Sequence, residues 1–588
     1  MIKTFLTVFA LAMFLSSLRA MPTENEFRAT WVITWEYIGS SQSSAATMEK
    51  IDEIIENHAA ANMTSVLFQV RQSGTAYYES SFEPWGYYAN YQNPGFDPLD
   101  YAVDAAHERG LELHAWFNTF QTSSLYEGSP AQVHPEWVCR DQDGAPMSSY
   151  RALSPGLADV RNYTVDVAME IVNNYDIDGF HLDYVRWNEH SSDNNLTDID
   201  HEDELRRIDG TISDEELNSL QQRTGRYLYD INHPYSNGVP DDFSTWDDWW
   251  RFSVTEFVHT LHDSIQSVKP HVRLSAAVLG RYNWGGWQGY GTVYQDGALW
   301  FNEGFIDQLT PMHYHWTSPT SFVQMLQGSN QSWGPYIQEG IEAGRLFSAG
   351  PGSYILAENN VWDNHSGIVN AIRNVAFVDG FQFFSYGSWE DYLYWEEAGE
   401  TFFDNKSIVR SIPYNNSTTA LPPNPNLTLI QESELDYLIE IETNTVEDQP
   451  VWIVVSIRPS DSTDASILIH QVHFGTGDYI IPLSFDGLQP YQGSYQLSGQ
   501  NFNRYWVGST ETSQAITDEI PSFPPIITNI NLIPGDTIAV NAIIEIEFSK
   551  EIDQTSFFSA FTLIPDPDTI AIVWSNHWDA GGKLVSIS

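Results

Sequence analysis

The stretch Asp178-Gly-Phe-His-Leu-Asp-Tyr-Val-Arg-Trp187 concentrates side chains able to do chemistry. Side chains alternate between the two faces of a strand. With Phe180 and Leu182 facing outward, His181 and Asp183 share the opposite face, and Asp183 stands at the strand's carboxyl tip. A carboxylate there can act as a nucleophile or a base, and Arg186 close by favours the ionised form. The bland alternative is an Asp–Arg pair pinning the loop that follows. A carboxylate working with a second, protonated carboxyl group is the pairing that cleaves glycosidic bonds. The second group is not fixed by the sequence: Glu79 and Glu83 follow the second strand, Glu358 the seventh and Glu390 the eighth. Asp183, Glu83 and Glu358 are the catalytic candidates taken forward.

Other polar and aromatic residues gather near the same strand ends. His114, Trp116 and Asn118 alternate along one strand, and Gln69 and Arg71 along another. His181, Tyr184, Arg186, His313 and Tyr314 join them as groups expected to position a substrate or stabilise developing charge. Trp85, Tyr87 and Tyr88 fall in one connecting loop and Trp284 and Trp287 in another, where flat rings can stack on sugars or simply pack the loop. No metal or other cofactor is expected. There is no His-Glu-x-x-His and no His-x-His on the first strand, His313 and His315 are a weak pair, and the acid-rich segment Asp193–Glu204 lacks the spacing of a calcium loop.

The elements that must hold these residues alternate. Strand-like runs occur at Arg28–Trp35, Ser65–Arg71, Glu112–Phe117, Gly179–Asp183, Arg273–Val278, Gln308–His313, Gly352–Leu356 and Gly380–Ser385. Between them lie helical repeats, such as Val254, Phe257, Val258, Leu261, Ile265 and Val268 at a 3.6-residue period. Eight strand–helix repeats with strands apolar on both faces predict an α/β fold, a (β/α)8 TIM barrel over 27–411. An open doubly wound sheet would normally show a glycine-rich phosphate turn after its first strand, and none is present. Past a proline-marked linker, alternating strands predict a fibronectin- or Ig-like β-sandwich module over 426–515. A second Ig-like β module over 521–588 is short enough to suggest that the native chain continues.

The chain has 588 residues, with 78 acidic against 26 basic side chains and a net charge of −52. That balance excludes nucleic acid as a natural partner, because phosphates demand a basic surface. Residues 1–20 read as an export signal, so a secreted, periplasmic or cell-surface location is expected. No run is long enough to span a membrane. Cys139 is the single cysteine, which rules out an internal disulfide.

Several ordered motifs carry a resemblance. They are Phe27-Arg-Ala-Thr-Trp-Val, Phe68-Gln-Val-Arg-Gln-Ser-Gly-Thr-Ala, Glu83-Pro-Trp, Gly95-Phe-Asp-Pro-Leu, Ala105-Ala-His-Glu-Arg-Gly-Leu-Glu-Leu-His-Ala-Trp-Phe-Asn118, Leu153-Ser-Pro-Gly, the Asp183 segment and Pro311-Met-His-Tyr. Residues 27 to about 395 resemble the glycosyl-hydrolase-like family ten, barrel proteins that include divisome-associated enzymes cleaving stripped peptidoglycan strands. The resemblance implies a glycoside hydrolase acting on peptidoglycan, whereas the −52 charge and the C-terminal modules suit a hydrolase of extracellular polysaccharide. A non-catalytic surface glycan binder that keeps the barrel is the alternative from another class. Some relatives carry a second Asp where Tyr184 stands and an Asp where Ser73 stands, so the acid/base partner does not carry over.

Overall fold

The computed structural model describes residues 25–139, 152–187, 237–412, 420–432, 436–446, 449–459, 469–484, 495–516, 527–530, 544–548, 576–578 and 584–587. The export signal expected at 1–20 and the acid-rich segment Asp193–Glu204 lie outside the described residues. The described residues form two compact units, one within 25–420 together with 504–507, the other within 421–503 and 508–588.

The first unit is a closed parallel barrel. Among the described residues its strands are β1 (Phe27–Val32), β2 (Ser65–Gln72), β3 (Glu112–Asn118), β4 (Gly179–Asp183), β5 (Arg273–Ala276), β6 (Gln308–Leu309, continued by Met312–His313), β7 (Leu346–Pro351) and β8 (Gly380–Phe383). Neighbours pair in parallel around the ring, and β8 closes on β1 through Phe27–Gly380 to Thr30–Phe383. Residues of β1, β3, β4 and β7 are buried throughout, because one face fills the barrel and the other meets the helices.

The helices begin where side chains can cap them. Ser43 accepts from the Ala46 amide before α1 (Ser44–Ala60), Asp97 caps α2 (Pro98–Glu108), and Thr245 accepts from the Asp248 amide before α4 (Trp246–Val268). The third helix, α3 (Ala158–Asn174), buries Val160, Val167, Ala168 and Ile171. In α4, Val254, Phe257, Val258, Leu261 and Ile265 are buried, the stripe that the 3.6-residue repeat predicts.

One expected strand is corrected. Gly352–Leu356 opens the short helix Ser353–Glu358, and the seventh strand is the segment just before it. Short apolar runs do not distinguish strand from helix by pattern alone, and here the barrel takes the earlier segment.

Register sets three levels inside the barrel. His114, Gly179 and Arg273 lie together at the floor, Trp116, His181 and Ser275 in the middle, and Asn118 opposite Asp183 at the rim. Gly179 is required at the floor, since a Cβ there would sit 2.2 Å from the His114 ring.

The second unit is antiparallel. One sheet runs Asn426–Gln431, Asp436–Glu442, Asp478–Ser484, and another Ile469–Gly475, Val451–Pro459, Tyr495–Phe502, Thr512–Ile516. Tyr437, Ile439, Ile453, Val455 and Leu497 form their shared core. A four-stranded sheet follows, built from Ile527–Ile530, Ile544–Phe548, Leu584–Ile587 and Asn576–Trp578.

Candidate active site

Asp183 ends β4 at the barrel mouth, and its residue is 6 % exposed. Its Oδ2 accepts from Trp116 Nε1 at 3.2 Å, and its Oδ1 from the Tyr184 backbone amide at 2.7 Å. Each of its oxygens thus accepts an N–H donor. Tyr184 adopts a left-handed backbone, φ 49°, unusual for a residue with a side chain and typical of sites where the chain is held for a purpose. The Arg186 guanidinium lies 4.7 Å from the centre of the Tyr184 ring and 5.8 Å from that of Trp287, which is 41 % exposed. Tyr314, after β6, borders the same space. Burial first, and then the Asp183 charge, push its hydroxyl well above the usual tyrosine value. Its ring meets Tyr354 at 5.6 Å and Phe384 at 5.3 Å.

Asn118 lies beside Asp183 in register and accepts from Gln69 Nε2 at 3.2 Å. Gln69 in turn accepts from the Thr34 amide at 3.2 Å, so a polar ladder crosses from β4 to β1 along the rim. The structure thus brings Asp183, Trp116, Asn118, Tyr184, Arg186, Trp287 and Tyr314 to one mouth.

Several expected site residues lie elsewhere. Arg71 and Glu83 form a two-point ion pair, Nε to Oε2 at 2.8 Å and Nη2 to Oε1 at 2.6 Å, with both side chains fully buried. Tyr163 adds a bond to Glu83 at 3.1 Å, and Arg71 also donates to the Asn118 and Thr119 carbonyls. Glu83 as a catalytic acid and Arg71 as a sugar ligand are therefore corrected, because both oxygens and the fork are committed to each other. The cause is a register shift between Gln69 and Arg71, which breaks the inward alternation and lays Arg71 over the outward-facing Phe117 ring at 4.7 Å.

His114 is corrected too. It faces inward but at the floor, bonded to Glu112 at 3.1 Å and to Arg273 at 3.0 Å, and burial lowers its pKa. Against the upward pull of burial, Arg273 and His114 hold Glu112 below the usual carboxylate range. His181 is sealed one level higher. Burial lowers it to about 3, so the ring is neutral. Its Nε2 accepts from Trp31 Nε1 at 2.9 Å, which leaves Nδ1 to donate to Ser275 Oγ at 2.8 Å.

His313 is buried among Trp316, Phe322, Trp333 and Phe347, accepts from the Gly350 amide at 3.1 Å, and is lowered to about 3 by burial. It faces no ligand. Trp284 packs on Trp333 and Tyr336 with 9 % exposure, and Trp85 is partly buried against the core. Both serve their loops.

Of the remaining acids, Glu390 accepts from Asn57, Tyr386 and Trp395 and is occupied. Glu79 is exposed and takes a bond from Asn93. Glu358 is exposed at the end of the short helix after β7, where its charge adds to the burial that raises Tyr354.

The sequence reading missed Glu36. It lies four residues past β1, where an ionisable residue after a barrel strand is itself a signal. It is partly buried, accepts from the Ile33 and Gly387 amides at 2.6 and 2.7 Å, and is raised to about 7 by burial. Trp31, which holds His181, was also missed. Among the described residues, no group of three or more His, Cys, Asp or Glu is placed to hold a metal ion. Nor is any helix there long and apolar enough to cross a membrane.

Residues 26–342 match the family described as Glycosyl hydrolase-like 10. The chain is similar to Glycosyl hydrolase YngK of Bacillus subtilis, 26 % identical over 321 residues, covering 50 % of this chain and 54 % of the relative. It is similar to Glycosyl hydrolase DigH of Escherichia coli K12, 24 % identical over 297 residues, covering 46 % and 57 %. It thus spans about half the length of the curated relatives it matches. Among solved structures it resembles the PgaB (BpsB) glycoside hydrolase domain of Bordetella bronchiseptica, with a TM-score of 0.40 and 11 % identity, covering 66 % of this chain and 100 % of that one. With the family's pattern running through more than half the chain and a closed parallel barrel beneath it, the protein belongs to the Glycosyl hydrolase-like 10 family.

Proposed function

We propose that the protein is a secreted glycoside hydrolase that cleaves a polysaccharide by carboxylate chemistry at Asp183. One observation carries the reading: a carboxylate at the tip of β4 held by two N–H donors, facing a mouth lined by Trp116, Tyr184, Arg186 and Tyr314. Asp183 acts as nucleophile or base, and Trp116 and the Tyr184 amide fix its oxygens. The acid is drawn from the carboxyl groups at the strand ends that no ion pair occupies. Of these, Glu36 has the environment that keeps a proton near neutrality, and Glu358 has the exposure to reach a ligand. A carboxyl separation of about 5–5.5 Å from Asp183 in the ligand-bound protein would mean retention of configuration, and about 6.5–9.5 Å inversion.

A second reading is a glycan-binding protein without turnover. It is favoured by the commitment of Glu83 and Glu390 to other partners. Peptidoglycan strands remain the alternative substrate that the family resemblance implies. Digestion of a glycan panel, read by mass spectrometry with Asp183→Asn as control, tests all three. Product from a polysaccharide that disappears in the variant supports the proposal. Product from purified peptidoglycan alone moves the substrate, and tight binding with no product establishes the non-catalytic reading.

A further inference from the structure

Exposed aromatic side chains are not scattered over the barrel unit. Among the described residues, all of them except Phe252 and Tyr392, which lie on or directly after a helix, fall in segments that follow the carboxyl end of a strand. On the side of the mouth built by β1, β2 and β3 they form a connected strip. Trp35 meets Tyr88 at 5.8 Å, Tyr88 meets Tyr87 at 5.2 Å, and Tyr87 meets Tyr91 at 6.1 Å. Tyr91 stacks on Tyr126 at 3.9 Å with the planes 3° apart. Trp35 is 51 % exposed, Tyr87 64 % and Tyr126 42 %. Rings left this open cost solvation unless a ligand covers them.

Charge identifies the ligand class. The segments 34–48, 84–96 and 119–126 hold no Lys or Arg, and Glu79, Asp97 and Glu127 near their edges are acidic like Glu36 within them. With no Lys or Arg in them, they have nothing to attract phosphate, sulfate or carboxylate groups. Exposed amides of Asn90 and Gln92 alternate with the rings. Flat apolar faces with amide edges between them match the C–H faces and hydroxyl edges of uncharged sugar rings. The strand ends that carry the strip are tied to the one beside Asp183 by the buried Thr34–Gln69–Asn118 hydrogen bonds. Three strand spacings separate the tips of β4 and β1, about 15 Å of rim. That length suits an oligosaccharide rather than one ring.

We propose that Trp35, Tyr88, Tyr87, Tyr91 and Tyr126 form an extended binding strip for a neutral polysaccharide, remote from Asp183 and feeding the chain toward it. The inference rests on reading the mouth as a glycan site, but it fails separately.

The test is affinity electrophoresis of the full-length Asp183→Asn protein in gels containing soluble β-glucan, xylan, glycol chitin, alginate or stripped peptidoglycan strands. It is run with and without Trp35→Ala and Tyr87→Ala, both at exposed positions where folding is checked by circular dichroism. Retention by a neutral polysaccharide is expected, weakened roughly two- to tenfold by each ring removal. Retention unchanged by the substitutions, retention only in the anionic gels, or no retention at all overturns the strip. Wild-type hydrolysis of the same glycans separates the two claims. Ring-dependent retention without cleavage overturns the hydrolase and keeps the strip, whereas cleavage without ring-dependent retention does the reverse.

Discussion

At the scale of single residues, what separates Asp183 from Glu83 is what each carboxyl group already holds. Asp183 takes N–H donors from Trp116 of the neighbouring β3 and from the amide of the residue after it, and stands at the mouth. Glu83 takes a whole guanidinium in a dry setting. Removing one partner of a buried pair strands the other charge, so Glu83→Gln should lower unfolding free energy by about 3–5 kcal/mol, read by denaturant unfolding. Once folded, the variant should keep whatever turnover the wild type shows. A stable Glu83→Gln protein without activity would restore Glu83 as the acid. The sequence carried the type and face of Asp183, His114 and His181, because alternation along a strand is a local property. It did not carry height within the barrel. His114 and Asp183 point the same way, yet they lie at the floor and the rim, a difference set by the pairing of β3 with β4.

Between elements, Glu36 ties the segment after β1 to the segment after β8. It accepts from Ile33 and Gly387, lies 3.4 Å from Ser385 Oγ, and feels Lys50 of α1. The fold prefers it protonated, so its contribution to stability is fully present below the ordinary value of 4.5 and is lost as pH rises through about 7. Glu36→Gln should therefore flatten the fall in Tm across that window relative to wild type, measured by thermal unfolding in a pH series. An unchanged slope would remove Glu36 from the account. The barrel itself was legible from eight alternating runs and the long stripe of α4. The seventh strand was misplaced because Leu346–Pro351 and Gly352–Leu356 are both short and apolar, and only closure of the sheet chooses between them. The Arg71 turn was illegible for a similar reason: a one-residue register shift leaves no mark in composition.

For the whole molecule, a net charge of −52 is the dominant long-range term. Like charges spread over the folded surface repel, and added salt screens them within about 8–10 Å. Tm should rise as sodium chloride is taken from a few millimolar to about 0.15 M. A Tm that falls instead would mean that solvent-exposed ion pairs, such as those of Lys50 with Glu53 and Arg109 with Glu56, outweigh the general repulsion. The loop segments that carry the aromatic strip have no Lys or Arg to offset the negative charge, which is why the strip points to uncharged sugars. Turnover by the intact protein tests the central claim most directly. Wild type and Asp183→Asn are incubated with the glycan that wild type cleaves, and products are counted by mass spectrometry. Loss of at least a hundredfold in rate with unfolding behaviour unchanged is the predicted result. Equal product from both proteins would contradict the assignment of the chemistry to the tip of β4.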